Sequence, residues 1–155
     1  MFQIAATASL ALSNDDTFSF NLDTCNTPNQ GFTSSKYKES LFKNVPQHSS
    51  YSFENFYNEQ SFSYNKIPYS KNLLLNGYFQ SEKYFIENSD FIKNLFHIDS
   101  NNIDFVKNEY ELDNITCVHV RRGDYVKFKN FHLTCDLNYY TNSIDLIGEG
   151  KFLFI

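Results

Sequence analysis

The feature that most constrains the fold lies near the C-terminal end of the chain. Ile115-Thr116-Cys117-Val118-His119-Val120 and Lys151-Phe152-Leu153-Phe154-Ile155 are short apolar runs with the length and side chains of buried strands. Between them come a polar loop at 124–134, then Asp136, then residues 137–147 with Tyr140, Ile144 and Ile147 on one helical face, then Gly148 and Gly150. An aspartate just ahead of a periodic run is a helix N-cap, because its carboxylate accepts from first-turn amides that have no partner in the helix. Glycine just after the run ends it. Strand, loop, helix, strand is the unit of a parallel α/β layer.

The rest of the chain agrees with that class. Residues 2–13 read as a helix with Phe2, Ala5, Ala6, Ser9 and Leu12 on one stripe, stopped by Asn14-Asp15-Asp16. Thr17–Leu22 alternates like a strand, so the opening is a helix-to-strand unit. A polar loop follows at 24–35 and a short helix at 36–43. Residues 44–72 read as irregular and aromatic-rich, with Tyr51, Phe53, Phe56, Tyr57, Phe62 and Tyr64. Such a stretch is a loop pinned by ring packing or a platform that stacks sugars. Leu73–Phe79 reads as a buried strand entering a turn. Ser81 is placed to cap a helix over 82–95, and the acidic segment 97–113 has room for one more short helix.

Composition bounds the function. The chain has 155 residues, 41% of them hydrophobic and 18% aromatic, ample for a core. Only 5 glycines are present, which argues against a glycine-cradle nucleotide site within these residues. A net charge of −5 argues against a nucleic-acid partner, since such proteins neutralise many phosphates with a basic face. Cys25, Cys117 and Cys135 are too scattered for a CxxC pair and suit a reducing, cytoplasmic setting; no Cys/His cluster has metal-ligand spacing. The apolar start lacks a basic n-region, and no run approaches the roughly 20 residues of a membrane span, which leaves peripheral membrane association as the closest contact. Helical periodicity that starts at residue 1 and a strand with nothing after it read as a fragment.

The chemistry concentrates at Arg121 and Arg122, the only arginines in the sequence. A guanidinium is a planar fork that grips phosphate oxygens in pairs, whereas an ammonium is a point charge. Both forks sit at the carboxyl end of a strand, where open α/β sheets gather ligands. Gly123 allows a tight turn there, and Asp124 has the reach to hold one guanidinium and leave the other for a ligand. His119 lies on the opposite face from Val118 and Val120 and has the chemistry to donate to an anion. Surface ion pairing with the many acidic residues, or a phosphopeptide grip, remains open on spacing alone.

His119-Val120-Arg121-Arg122-Gly123-Asp124-Tyr125 resembles the His-x-Arg-Arg-x-Asp signature of the α-1,2-fucosyltransferases, glycosyltransferase family 11. Three further stretches agree in order. Met1–Ala6 looks like the start of that family's first helix, Asn76–Phe85 like its Gly-Tyr-(Trp/Phe)-Gln-Ser-Glu segment, and Leu137–Tyr140 like its Tyr-Tyr helix start. The resemblance implies a GT-B architecture: an N-terminal Rossmann-like, acceptor-side half at 1–112, lacking its first strand, and the truncated beginning of a donor-binding half at 113–155. It implies GDP-L-fucose as donor, a galactose-terminated glycan as acceptor and an inverting α-1,2 transfer. Arg121, Arg122, His119 and Asp124 carry over as catalytic residues, and Arg121, Arg122, Gly123 and Tyr125 as donor contacts. No metal and no cofactor are expected, because the arginines replace the cation and no Asp-x-Asp triplet is present. The family's Gly-rich turn and its later Ser-Asp-Asp segment are not in these residues, so a non-catalytic glycan- or nucleotide-binding remnant is the alternative.

Overall fold

The computed structural model describes residues 1–23, 33–48, 50, 52–110, 112–128 and 130–155. The readings given above for Cys25, Tyr51 and most of the 24–35 loop lie outside the described residues. The chain forms two units, one made of the described residues up to Ile98 and one of Asp99–Ile155.

In the first unit, helix α1 (Phe2–Leu12) is the centre of the packing. Ile4, Ala5 and Ala8 enter a cluster with Leu22, Phe42, Val45, Ile92 and Leu95. Ala6 enters a second cluster with Ile67 and Phe79. A helix covered on two sides has no space for bulky side chains, which is why its interior is alanine. The single stripe read from the sequence is therefore only part of the buried surface: Ala5, Ala6 and Ser9 are buried, whereas Phe2 is 43% exposed. The buried Ser9 hydroxyl accepts from Asn88 Nδ2 at 2.9 Å, and the same nitrogen donates to Ser13 Oγ at 3.1 Å. That partner removes a penalty of about 1–3 kcal/mol for an unpaired buried hydroxyl.

Strands β1 (Asn55–Asn58) and β2 (Leu73–Asn76) pair in parallel, Asn55 opposite Leu73 and Asn58 opposite Asn76. Residues 59–72 form the long crossover that parallel neighbours require. Strand β1 falls inside the stretch read as irregular. Its pattern hides it: only Tyr57 is even half-buried, and asparagines close both ends. Long-range bonds define it instead, including Asn55 Nδ2 to the Lys71 carbonyl at 2.9 Å. Aromatic contacts such as Phe53–Phe56 and Tyr64–Tyr84 do pin this stretch.

Three expectations need correction. Thr17–Leu22 makes a single parallel bridge, Phe20 with Gln47, and no strand; Phe18 and Phe20 are partly buried against the first cluster. The helix expected over 82–95 is broken into two 3-10 turns, Glu82–Tyr84 and Ile86–Asn88, before α2 (Ser89–Leu95). The break falls at Phe85 (φ −146°), with Tyr84 packed against the second cluster and Phe85 against the first. The helix expected at 36–43 is a 3-10 turn at Ser34–Tyr37 followed by further turns.

The second unit contains α3 (Ser100–Glu109), β3 (Ile115–Val118), α4 (Gly123–Lys127), α5 (Leu137–Ile147) and β4 (Lys151–Phe154). Here the order of elements follows the sequence pattern, but the two strands expected to be buried are half-buried to exposed along their length. Asp136 caps α5 by accepting from the Tyr139 amide at 2.8 Å, and Gly148 leaves the helix with φ 88°. Strands β3 and β4 are parallel, Ile115 opposite Lys151 and Val118 opposite Phe154. The loop expected at 124–134 instead begins with the short helix α4. The chain is thus a small α/β protein with short parallel strands, compatible with a Rossmann-like half.

Candidate functional site

The β3–β4 ladder runs to the edge of the arginine pair. Beyond the paired strands, the Val120 amide donates to the Ile155 carbonyl at 2.8 Å and the Ile155 amide to the Val118 carbonyl at 3.0 Å. Arg121 therefore leaves a backbone that is fixed on its N-terminal side.

Two further contacts hold its guanidinium. Arg121 Nη2 donates to Asp124 Oδ2 at 3.0 Å. The guanidinium carbon lies 4.4 Å from the centre of the Tyr125 ring, within cation–π range. The Tyr125 ring in turn stacks on His132, with centroids 4.2 Å apart and planes at 15°. Edge and face of the same guanidinium are thus both occupied in part, while 51% of the side chain stays exposed. The hydrogen bond from Arg121 holds the Asp124 carboxyl below the ordinary carboxylate range, and the same bond raises Arg121 above its usual value. Both groups are charged across the physiological range.

Arg122 differs. It precedes α4 with φ −125°, and among the described residues its exposed side chain has no hydrogen-bond or ion-pair partner. Of the two guanidinium groups, Asp124 holds that of Arg121. Gly123 begins α4, and a Cβ added there would meet nothing within 4 Å. The tight turn expected of it is not what the backbone makes; its lack of a side chain simply leaves the surface beside the arginines open. His119 is exposed, on the strand extension before the pair. The stack of Tyr125 on His132 was not foreseen. Helix α4 ends at Lys127, before His132, so the pair does not follow from a helical repeat.

Parallel strands carrying a braced cationic fork at their carboxyl edge define an α/β protein suited to an anionic, phosphate-bearing ligand. The sequence model of glycosyl transferase family 11 matches residues 9–153, and the chain belongs to that family. No curated protein and no solved structure matches it. Membership makes the chain a glycosyltransferase by class, with a nucleotide-sugar donor and a glycan acceptor as its substrates. The matched range includes three of the four stretches compared above, those at 76–85, 119–125 and 137–140. Among the described residues, no helix is long and apolar enough to cross a membrane.

Proposed function

We propose that this chain serves fucosyl transfer: L-fucose passes from GDP-L-fucose to O-2 of a terminal galactose, with inversion and without a metal ion. The observation that carries the reading is the braced guanidinium of Arg121 beside that of Arg122, which has no side-chain partner among the described residues, inside a stretch that resembles the α-1,2-fucosyltransferase signature.

In the reaction, the galactose O-2 attacks the anomeric carbon of fucose from the side opposite GDP. The bond from that carbon to the phosphate oxygen breaks, its electron pair leaves with GDP, and the acceptor proton passes to a base. Negative charge therefore grows on the departing diphosphate. Preformed cations aimed at that charge stabilise the transition state more than the ground state. In this proposal Arg121 and Arg122 grip the diphosphate, Asp124 and Tyr125 hold Arg121 in position, and His119 and the open surface at Gly123 lie alongside. Fixing the fork beforehand removes the entropy cost of ordering it on binding. Residues 1–112 are assigned to the acceptor side and 113–155 to the donor side of a GT-B enzyme. A cytoplasmic setting, with peripheral contact to a membrane that carries the acceptor, suits a GDP-sugar donor.

The test is transfer to lactose from a panel of GDP- and UDP-sugars. GDP-L-fucose alone should support product, with the new linkage at O-2 of galactose. Product from a UDP-sugar, or a linkage elsewhere, would defeat the assignment. Nucleotide and glycan binding with no turnover would instead favour a non-catalytic binding role.

A further inference from the structure

The turn after β2 is held more firmly than a simple connection requires. Glu59, the residue after β1, accepts from the Tyr78 amide at 2.7 Å and from the Phe79 amide at 3.0 and 3.1 Å. From the other side, Gln3 Nε2 of α1 donates to the Gly77 carbonyl at 2.7 Å. A Cβ on Gly77 would lie 2.4 Å from the Glu59 Cβ, so only glycine fits beneath the clasp. Phe79 is fully buried yet has a φ of 53°, a left-handed backbone that a bulky aromatic rarely adopts. Such strain persists where the surroundings over-determine it, and it clusters at functional sites.

What the clasp positions is Tyr78. Its side chain is 61% exposed and lies beside Phe62, which is 77% exposed. The two ring centroids are 5.8 Å apart with planes at 34°. At the same carboxyl edge, Asn58 and Asn76 end the paired strands and bond to each other at 2.9 Å. Carboxyl edges of parallel strands are where α/β sheets take ligands. Adjacent exposed rings on a fixed backbone suit a pyranose, whose C–H face packs on aromatic rings. The charged group at this turn is the Glu59 carboxylate, which disfavours an anionic sugar.

We propose that Phe62 and Tyr78 form a stacking platform for a neutral hexopyranose of the acceptor glycan. The sugar class rests on the glycosyl-transfer reading, and the residues rest on the geometry of the turn. Glu59 and Gln3 are positioning residues in this proposal. Both Glu59 oxygens are engaged by backbone amides, so its part is to hold the platform.

The test uses the whole chain with lactose as probe, followed by titration calorimetry and by saturation transfer from the protein's aromatic protons; GDP is titrated separately. Phe62→Ala and Tyr78→Ala should each weaken lactose binding about tenfold or more, and Phe62→Tyr and Tyr78→Phe should stay within about threefold of wild type. GDP affinity should be unchanged in all four. If Tyr78→Ala disturbs the turn, Phe62→Ala, which leaves the clasp intact, decides alone. Lactose bound equally well by Phe62→Ala and wild type overturns the platform. GDP bound with no lactose bound also overturns it and leaves the donor reading standing. Lactose bound through the rings with no GDP bound sustains the platform and removes the transferase reading.

Discussion

Up to Ile98 the chain closes two clusters of buried side chains around α1, whereas from Asp99 onward no described residue is buried. In the second unit Leu133, Leu146 and Phe131 are 93%, 89% and 85% exposed. Its order comes from the β3–β4 ladder, the Asp136 cap and the contacts around Arg121. The first unit is held by packing, the second by local polar geometry. The two chemistries divide the same way. The proposed sugar platform stands on a turn backed by a buried phenylalanine, and the arginine pair stands on a thin scaffold whose rigidity is made near the side chains themselves.

That contrast sets the size of mutational effects. Phe79→Ala removes the fully buried ring of the second cluster and should cost about 3–5 kcal/mol in denaturant unfolding. A loss below about 1 kcal/mol would mean that the cluster does not carry the first unit. Gly77→Ala comes next. The new methyl meets Glu59, and a loss of roughly 1–3 kcal/mol is expected, with hydrogen-exchange protection falling at the Tyr78 and Phe79 amides. Asp136→Ala strips the cap from α5 and should cost about 1 kcal/mol, read as faster amide exchange in the first turn of that helix. Leu146→Ser, at an exposed site, should stay within about 0.5 kcal/mol of wild type. Should Leu146→Ser cost as much as Phe79→Ala, the contrast between the units is wrong.

The smallest effect is electrostatic. Asp124 has a folded-state pKa below its unfolded value, because Arg121 bonds to its charged form. The stabilisation from this pair is therefore complete above the ordinary carboxylate range and is lost as pH falls through the depressed folded value. In Arg121→Ala, a carboxyl-detected NMR titration should find Asp124 moved upward toward the ordinary range. An unmoved titration would show that the pair is not formed in solution.

Legibility ran opposite to packing. The loosely held unit was the easier to read, because its order is local: a capping aspartate one residue before its helix, glycines just after it, two short apolar strands. The firmly packed unit hid its main devices in long-range partners. Glu59 meets amides of Tyr78 and Phe79, and Gln3 meets Gly77, separations at which no sequence period operates. Strand β1 lacked an apolar alternation, and the break at Phe85 has no glycine or proline to announce it. The arginine pair was legible from its rarity and its place after a strand; the brace from Tyr125 and His132 was not, since stacking between a short helix and the chain beyond its end leaves no pattern.

The claim that the braced guanidinium of Arg121 grips a diphosphate together with Arg122 is tested most directly by calorimetric titration of GDP onto the intact chain and onto Arg121→Lys. The lysine keeps the charge and loses the planar fork, so GDP affinity should fall about tenfold or more, with the fold unchanged by circular dichroism. GDP binding to the lysine variant with wild-type affinity would contradict the account.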